Sequence, residues 1–144
     1  MKKIILPLVG FLPLLVGCFL NFLTVSSYLV IPIWFFCATT LSILYLAGRF
    51  SVEIVDKRME AVFLLNTPAF IILLLAFYQE IVLGRYWDNW VGLMTQFFYS
   101  PFLRTTMAFI ITVRRQQAFY AYVVSFIFLV ITTYSGRARG ERWH

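Results

Sequence analysis

Histidine is nearly absent from this sequence, and its one imidazole, His144, is the last residue. Transmembrane haem ligation, a histidine metal site and histidine-based acyl transfer therefore have no ligand or base to work with. Carboxylates are scarce as well, six in all, and the two aspartates, Asp56 and Asp88, fall in segments expected on opposite membrane faces. No paired-carboxylate site can be built from them. Glycine motifs for phosphate or dinucleotide are missing, and Ser–His–Asp arrangements lack their base. The two cysteines, Cys18 and Cys37, lie in separate apolar runs with no CxxC, which reads as small buried hydrophobes. The expectation is a protein with no cofactor, no metal and no enzyme activity.

What is present is apolar. With 62% hydrophobic and 12% charged residues the chain lies far outside the range of a soluble globular domain and belongs to the membrane class. Its 144 residues make one domain. Aromatic residues at 19% suit bilayer interfaces and tightly packed helices. A net charge of +6 would suggest nucleic acid in a soluble protein, but here Lys and Arg cap the ends of apolar stretches. They read as topology signals and headgroup contacts, which excludes a nucleic-acid partner and leaves membrane lipid.

Taken in order, Lys2 and Lys3 precede an apolar run from Ile4 to Leu23, long enough to cross a hydrocarbon core of about 30 Å. Leu15-Val16-Gly17-Cys18 resembles the lipobox of bacterial lipoproteins, in which the cysteine becomes the lipidated first residue. The apolar FLNFL after Cys18 departs from the polar tether of that family, and the stretch is read as an uncleaved first span. Asn21 to Ser27 suits a short hairpin, and Tyr28 to Leu46 returns, with Pro32 in its first turn. A charged connector over 48–60 follows, predicted as a helical extension with a Glu53–Lys57 pair at i, i+4. Ala61 to Leu83 is the next span, kinked at Pro68. An interfacial belt comes after it, with Glu80, Arg85, Trp87 and Trp90. The last span, Ala118 to Tyr134, leads into a polar tail, 135–144.

Between belt and last span lies Trp90 to Gln117, the stretch that the rest must accommodate. It is greasy enough to enter a bilayer, yet it carries Arg104 near its middle. A charge at mid-bilayer costs about 2.5 to 3.5 kcal/mol on insertion scales, so lipid exposure is its least favourable fate. Pro101 cannot bond the Phe97 carbonyl, which frees an acceptor at the same depth. Gln96, Ser100 and Arg104 recur at i, i+4 and form one polar stripe. Depth counting at about 1.5 Å per residue brings Arg104 level with the Asn66 to Pro68 region and not with Glu80.

The fold class is thus all-α: a polytopic transmembrane helix bundle with five hydrophobic helical segments. The positive-inside rule does not choose between two arrangements. If Val91 to Val113 spans, basic residues divide seven inside against four outside and the tail lies outside. If it re-enters, there are four spans, and the division is eight against three plus Arg104. Length favours spanning. The expected setting is the cell (inner) membrane, multi-pass, N-terminus cytoplasmic. The expected role is a small accessory or regulatory subunit that packs against a larger membrane protein complex. The alternatives are an oligomeric transporter or channel subunit with Arg104 lining the path, and an immunity-type protein against a pore-forming toxin. Partners would be another integral-membrane protein or a second copy.

Overall fold

The computed structural model describes residues 2–25, 33–84, 89–112 and 118–142; the side chains of 2, 24, 25, 33, 104, 105, 107–112 and 118 lie outside the description. The described residues are almost all helical and include no strand, as expected of an apolar sequence whose backbone groups must be satisfied internally in lipid. Its helices are α1 (Ile5–Gly10), α2 (Leu12–Val25), α3 (Ile33–Phe50), α4 (Arg58–Phe77), α5 (Trp90–Thr112) and α6 (Ala118–Gly140).

Among the described residues four stretches are long and apolar enough to cross a membrane: Ile5–Leu23, Trp34–Glu53, Arg58–Val82 and Phe119–Gly140. The first comprises α1 and most of α2, offset at Phe11, where the Phe11 N–H bonds Leu8 and Pro13 has no N–H to continue the ladder. The third ends in a π-helical turn, Tyr78–Val82, closed by Gly84 at φ 61°. A positive φ is a conformation that glycine adopts without a Cβ penalty.

The connector is not the helical extension predicted from its charges. After α3 a single 3₁₀ turn, Ser51–Glu53, is followed by a non-helical stretch to Lys57, so the i, i+4 geometry for a Glu53–Lys57 pair is lost. Instead, Val55 turns inward to join Leu6, Ala61 and Leu65 in a small apolar cluster, and the Ser51 hydroxyl closes back on the Gly48 carbonyl at 2.6 Å.

The larger core is centred on α5. Phe98, Tyr99 and Phe102 are fully enclosed by Leu44 of α3, Ala69, Ile72 and Ala76 of α4, and Tyr122 and Leu129 of α6. Lipid tails are as apolar as these side chains, so van der Waals packing holds such helices together more than exclusion of water does. Glycines set how closely the backbones approach. A Cβ on Gly48 would meet the Thr133 carbonyl, one on Gly136 the Tyr45 carbonyl, and one on Gly140 the Arg49 carbonyl, so α3 and α6 run in parallel, nearly backbone to backbone. Gly10 meets Leu65 and Pro68 of α4 in the same way, and Gly17 meets Phe97 of α5. Buried hydroxyls are satisfied within their own helices: Thr40 on Phe36, Thr106 on Phe102, Ser125 on Ala121 and Thr133 on Leu129.

Both chain ends meet the connector. Lys3 Nζ lies 2.6 Å from Glu60, at the start of α4. The segment read as a free polar tail is the last turns of α6. Arg137 is 1% exposed, and Glu141 joins it to Arg58. The expectation that connector and tail face opposite sides is therefore corrected. The other end of α6 starts at the far end of the bundle, where Phe119 packs on Phe77 with ring centroids 5.5 Å apart. The chain enters α5 at that same far end, since Gln79 donates to Asn89 at 2.5 Å and the Asn89 side chain caps α5 by accepting the Gly92 N–H at 3.1 Å.

With α5 starting and α6 starting at the far end, α5 does not carry the chain across. Its path agrees. From Tyr99 to Thr106 it advances seven residues, while its neighbours on α6 advance only three, from Tyr122 (ring centroids 5.1 Å apart) to Ser125 (3.4 Å). The helix crosses α6 obliquely and dips into the bundle. The preference for a spanning fifth segment gives way to the four-span arrangement with one re-entrant helix. Length misled, because 23 residues of helix, about 34 Å, fit a tilted path as well as an upright one.

Candidate functional site

The place to seek function is the bend of α5 around Pro101, where the sequence concentrates polar groups at bilayer depth. Pro101 is buried inside the helix, and the carbonyl it cannot reach, that of Phe97, is not left bare. The Ser100 hydroxyl donates to it at 3.0 Å, and Gly17 of α2 lies directly against it. A side chain at position 17 would push α2 away from that carbonyl. One turn away, the Tyr99 hydroxyl donates to the Ala69 carbonyl at 2.8 Å, fastening α5 to α4 just after Pro68.

Of the expected polar cluster, Ser100 and Gln96 are half-buried on α5, and Arg104 occupies the next position of the stripe on the same helix. The side chain of Arg104 lies outside the described residues, and so does the expectation that Asn66 to Pro68 satisfies it. Asn66 itself is committed elsewhere. Its amide donates to the Val62 carbonyl and to Thr133 Oγ1, both at 2.8 Å, which makes it a bridge between α4 and α6. Pro68 is accommodated inside a continuous α4, against Gly10.

At the far end, Trp90 is 81% exposed at the start of α5, as an interfacial anchor should be. Arg85 and Trp87 lie outside the described residues, as does Asp88. Glu80 sits in the π-helical turn with one carboxylate oxygen shut off from solvent, and its charge reaches Tyr122 of α6. Cys37 is buried as expected, but Cys18 is exposed on the outside of α2. Among the described residues no three His, Cys, Asp or Glu side chains come together as a metal site would require.

Comparisons with protein-family models, with curated proteins and with solved structures find no match for this chain. Function rests on geometry.

The sequence reading missed a second polar centre, at the connector end. Arg137 Nε bonds Glu141 at 3.0 Å and Arg137 Nη2 bonds the Asp56 backbone carbonyl at 2.9 Å. The other Glu141 oxygen takes two bonds from Arg58, whose Nη1 also donates to the Tyr134 hydroxyl at 3.0 Å and whose guanidinium stacks on that ring. The Arg58 hydrogen bonds hold the Glu141 carboxyl below the ordinary glutamate range, with Arg137 adding to the effect. One signal was legible: Gly136 and Gly140 form a GxxxG spacing, which marks a helix-packing face and not a solvated tail.

Proposed function

We propose that the chain is a small integral-membrane accessory or regulatory subunit of the cell (inner) membrane, N-terminus cytoplasmic, which packs against a larger membrane protein. The observation that carries this reading is a groove of about 250 Å³ between α4 and α6, lined by Val62, Phe63, Asn66, Phe70, Phe126 and Val130. It lies along the bundle's outer side, with Phe63 64% exposed at its rim and the Asn66–Thr133 bridge in its wall. A concavity of this size accepts one or two side chains of a partner helix, with aromatic edges on either side. At the connector end the non-helical connector packs inward through Val55, and Glu141 docks the tail on Arg58.

The orientation follows from charge. Lys2, Lys3, Arg49, Lys57, Arg58, Arg137, Arg139 and Arg142 all belong to segments at the connector end, and the positive-inside rule assigns such an end to the cytoplasm.

A photo-crosslinking residue at Phe63 in the full chain tests the reading in intact membranes. The expected product is an adduct with a larger integral-membrane protein that is lost when Val130→Trp fills the groove. Adducts only at multiples of the chain's own 16.9 kDa would favour an oligomeric transporter or channel subunit instead.

A further inference from the structure

On the opposite flank of α6, between it and α3, a cavity of about 770 Å³ opens at the connector end, lined by Tyr45, Tyr134, Ser135, Ala138, Arg139 and Arg142. We propose that it binds the phosphate headgroup of an anionic glycerophospholipid from the surrounding leaflet. Three observations carry this assignment.

First, the charge is uncommitted. The described ion pairs use Lys3, Arg58 and Arg137; neither Arg139 nor Arg142 has an acidic partner among the described residues. Glu141, between them in sequence, is turned to the other side by Arg58 and Arg137. Two guanidiniums at one cavity offer the paired, planar donors that phosphate oxygens accept.

Second, the hydroxyls are suitably placed. The Tyr134 oxygen accepts from Arg58, which leaves its own proton to donate, and Tyr45 and Ser135 contribute further hydroxyls. The Arg58–Glu141–Arg137 network holds Tyr134 and the end of α6 in place, so the site is ordered before a ligand arrives.

Third, the cavity continues into the bilayer. A second groove of about 410 Å³, lined by Leu41, Ser42, Tyr45, Leu46 and Thr132, shares Tyr45 with it. On α3 these residues lie one turn deeper, and on α6 the positions 132, 135, 139 and 142 recur at helical spacing down a single face. A polar mouth at headgroup level that opens onto a greasy furrow below fits a lipid, whereas a free phosphate ion would have no use for the furrow.

Native mass spectrometry of the purified full chain in neutral detergent tests the proposal, with dioleoylphosphatidylglycerol, dioleoylphosphatidylcholine and glycerol 3-phosphate as probes. Attraction of two arginines to an anionic headgroup predicts a phosphatidylglycerol preference on the order of thirtyfold over phosphatidylcholine. Arg139→Gln with Arg142→Gln should abolish the preference; both side chains are exposed, and unchanged helicity by circular dichroism confirms that the fold survives. Ser42→Trp, which fills the furrow, should weaken both lipids alike. Equal retention of the two lipids by the wild-type chain, or a preference untouched by the double substitution, would overturn the assignment. Displacement of phosphatidylglycerol by glycerol 3-phosphate at comparable concentration would overturn it too, in favour of a soluble phosphate ligand.

Discussion

Arg137 is the residue whose environment departs most from its place in the sequence. An arginine ten residues past a span's apolar centre reads as a charge held in water, yet this one is 1% exposed. A buried guanidinium is tolerated when strong acceptors offset its desolvation. Here Nε meets the Glu141 carboxylate one turn on and Nη2 a connector carbonyl 81 residues earlier in the chain, while Nη1 has no hydrogen-bond partner among the described residues. The local partner could have been read from the i, i+4 spacing; the remote one could not, because it depends on the connector leaving helical geometry at Ile54. Arg137→Ala should therefore lower stability in detergent by about 2 kcal/mol, a fall of several degrees in the thermal midpoint. The Arg137→Lys variant should recover little, since an ammonium lacks the fork that reaches both acceptors at once.

The same network makes a pH prediction. Glu141 has a folded-state pKa depressed below its unfolded value of about 4.3, so its contribution is fully present above that value. It is lost as the pH falls through the lower, folded pKa. Thermal midpoints measured from pH 7 down to pH 3 should drop in the acid range, and the Glu141→Gln protein should begin lower at neutral pH and show a flatter profile. A Glu141→Gln profile as steep as that of the wild type would assign the acid loss to other carboxylates.

At the scale of elements, the spans themselves were legible, because length and apolarity suffice to place a helix in a bilayer. How the helices meet was less so. Substituting alanine for a helical glycine ordinarily gains about 1 kcal/mol from propensity. At Gly17, Gly48 and Gly136 the added Cβ would instead strike a carbonyl of the neighbouring helix, and backbone cannot step aside as a flexible side chain can. Overpacking of this kind costs about 1 to 3 kcal/mol and outweighs the gain. Gly136→Ala is accordingly expected to be destabilising and Gly17→Ala more so, since the latter also pushes α2 off the Phe97 carbonyl that Pro101 frees from the helix ladder. Denaturation in detergent, followed by circular dichroism, checks the order. The polar stripe of Gln96, Ser100 and Arg104 was visible from spacing alone, and Ser100 does serve the freed carbonyl. The pairing of Asn66 with Thr133 was not visible, because it needs the register between α4 and α6, which neither helix encodes by itself.

For the whole molecule the decisive question is one of parity. Basic residues favour the inner side to nearly the same degree under either arrangement, seven against four or eight against three, so charge alone left the side of the tail open. The packing of chain ends decides it: Lys3 on Glu60, and Glu141 on Arg58, tie both ends of the chain to the connector. A chain whose two ends share a face crosses an even number of times, and the four long apolar helices among the described residues suffice for those crossings. In that arrangement α5 fills the space between the spans, and its Phe98, Tyr99 and Phe102 are, with Tyr122 of α6, fully buried. Cysteine labelling in intact cells tests this arrangement. In a background with Cys18 and Cys37 replaced by alanine, Lys57→Cys and Arg142→Cys should resist an impermeant maleimide and react only after the membrane is opened, while Asn89→Cys should react from outside. All three positions lie at helix ends, outside the apolar spans, so their accessibility reports sidedness and not burial in lipid. Reaction of Arg142→Cys from outside while Lys57→Cys stays protected would mean an odd number of crossings, and α5 would then have to traverse the membrane after all.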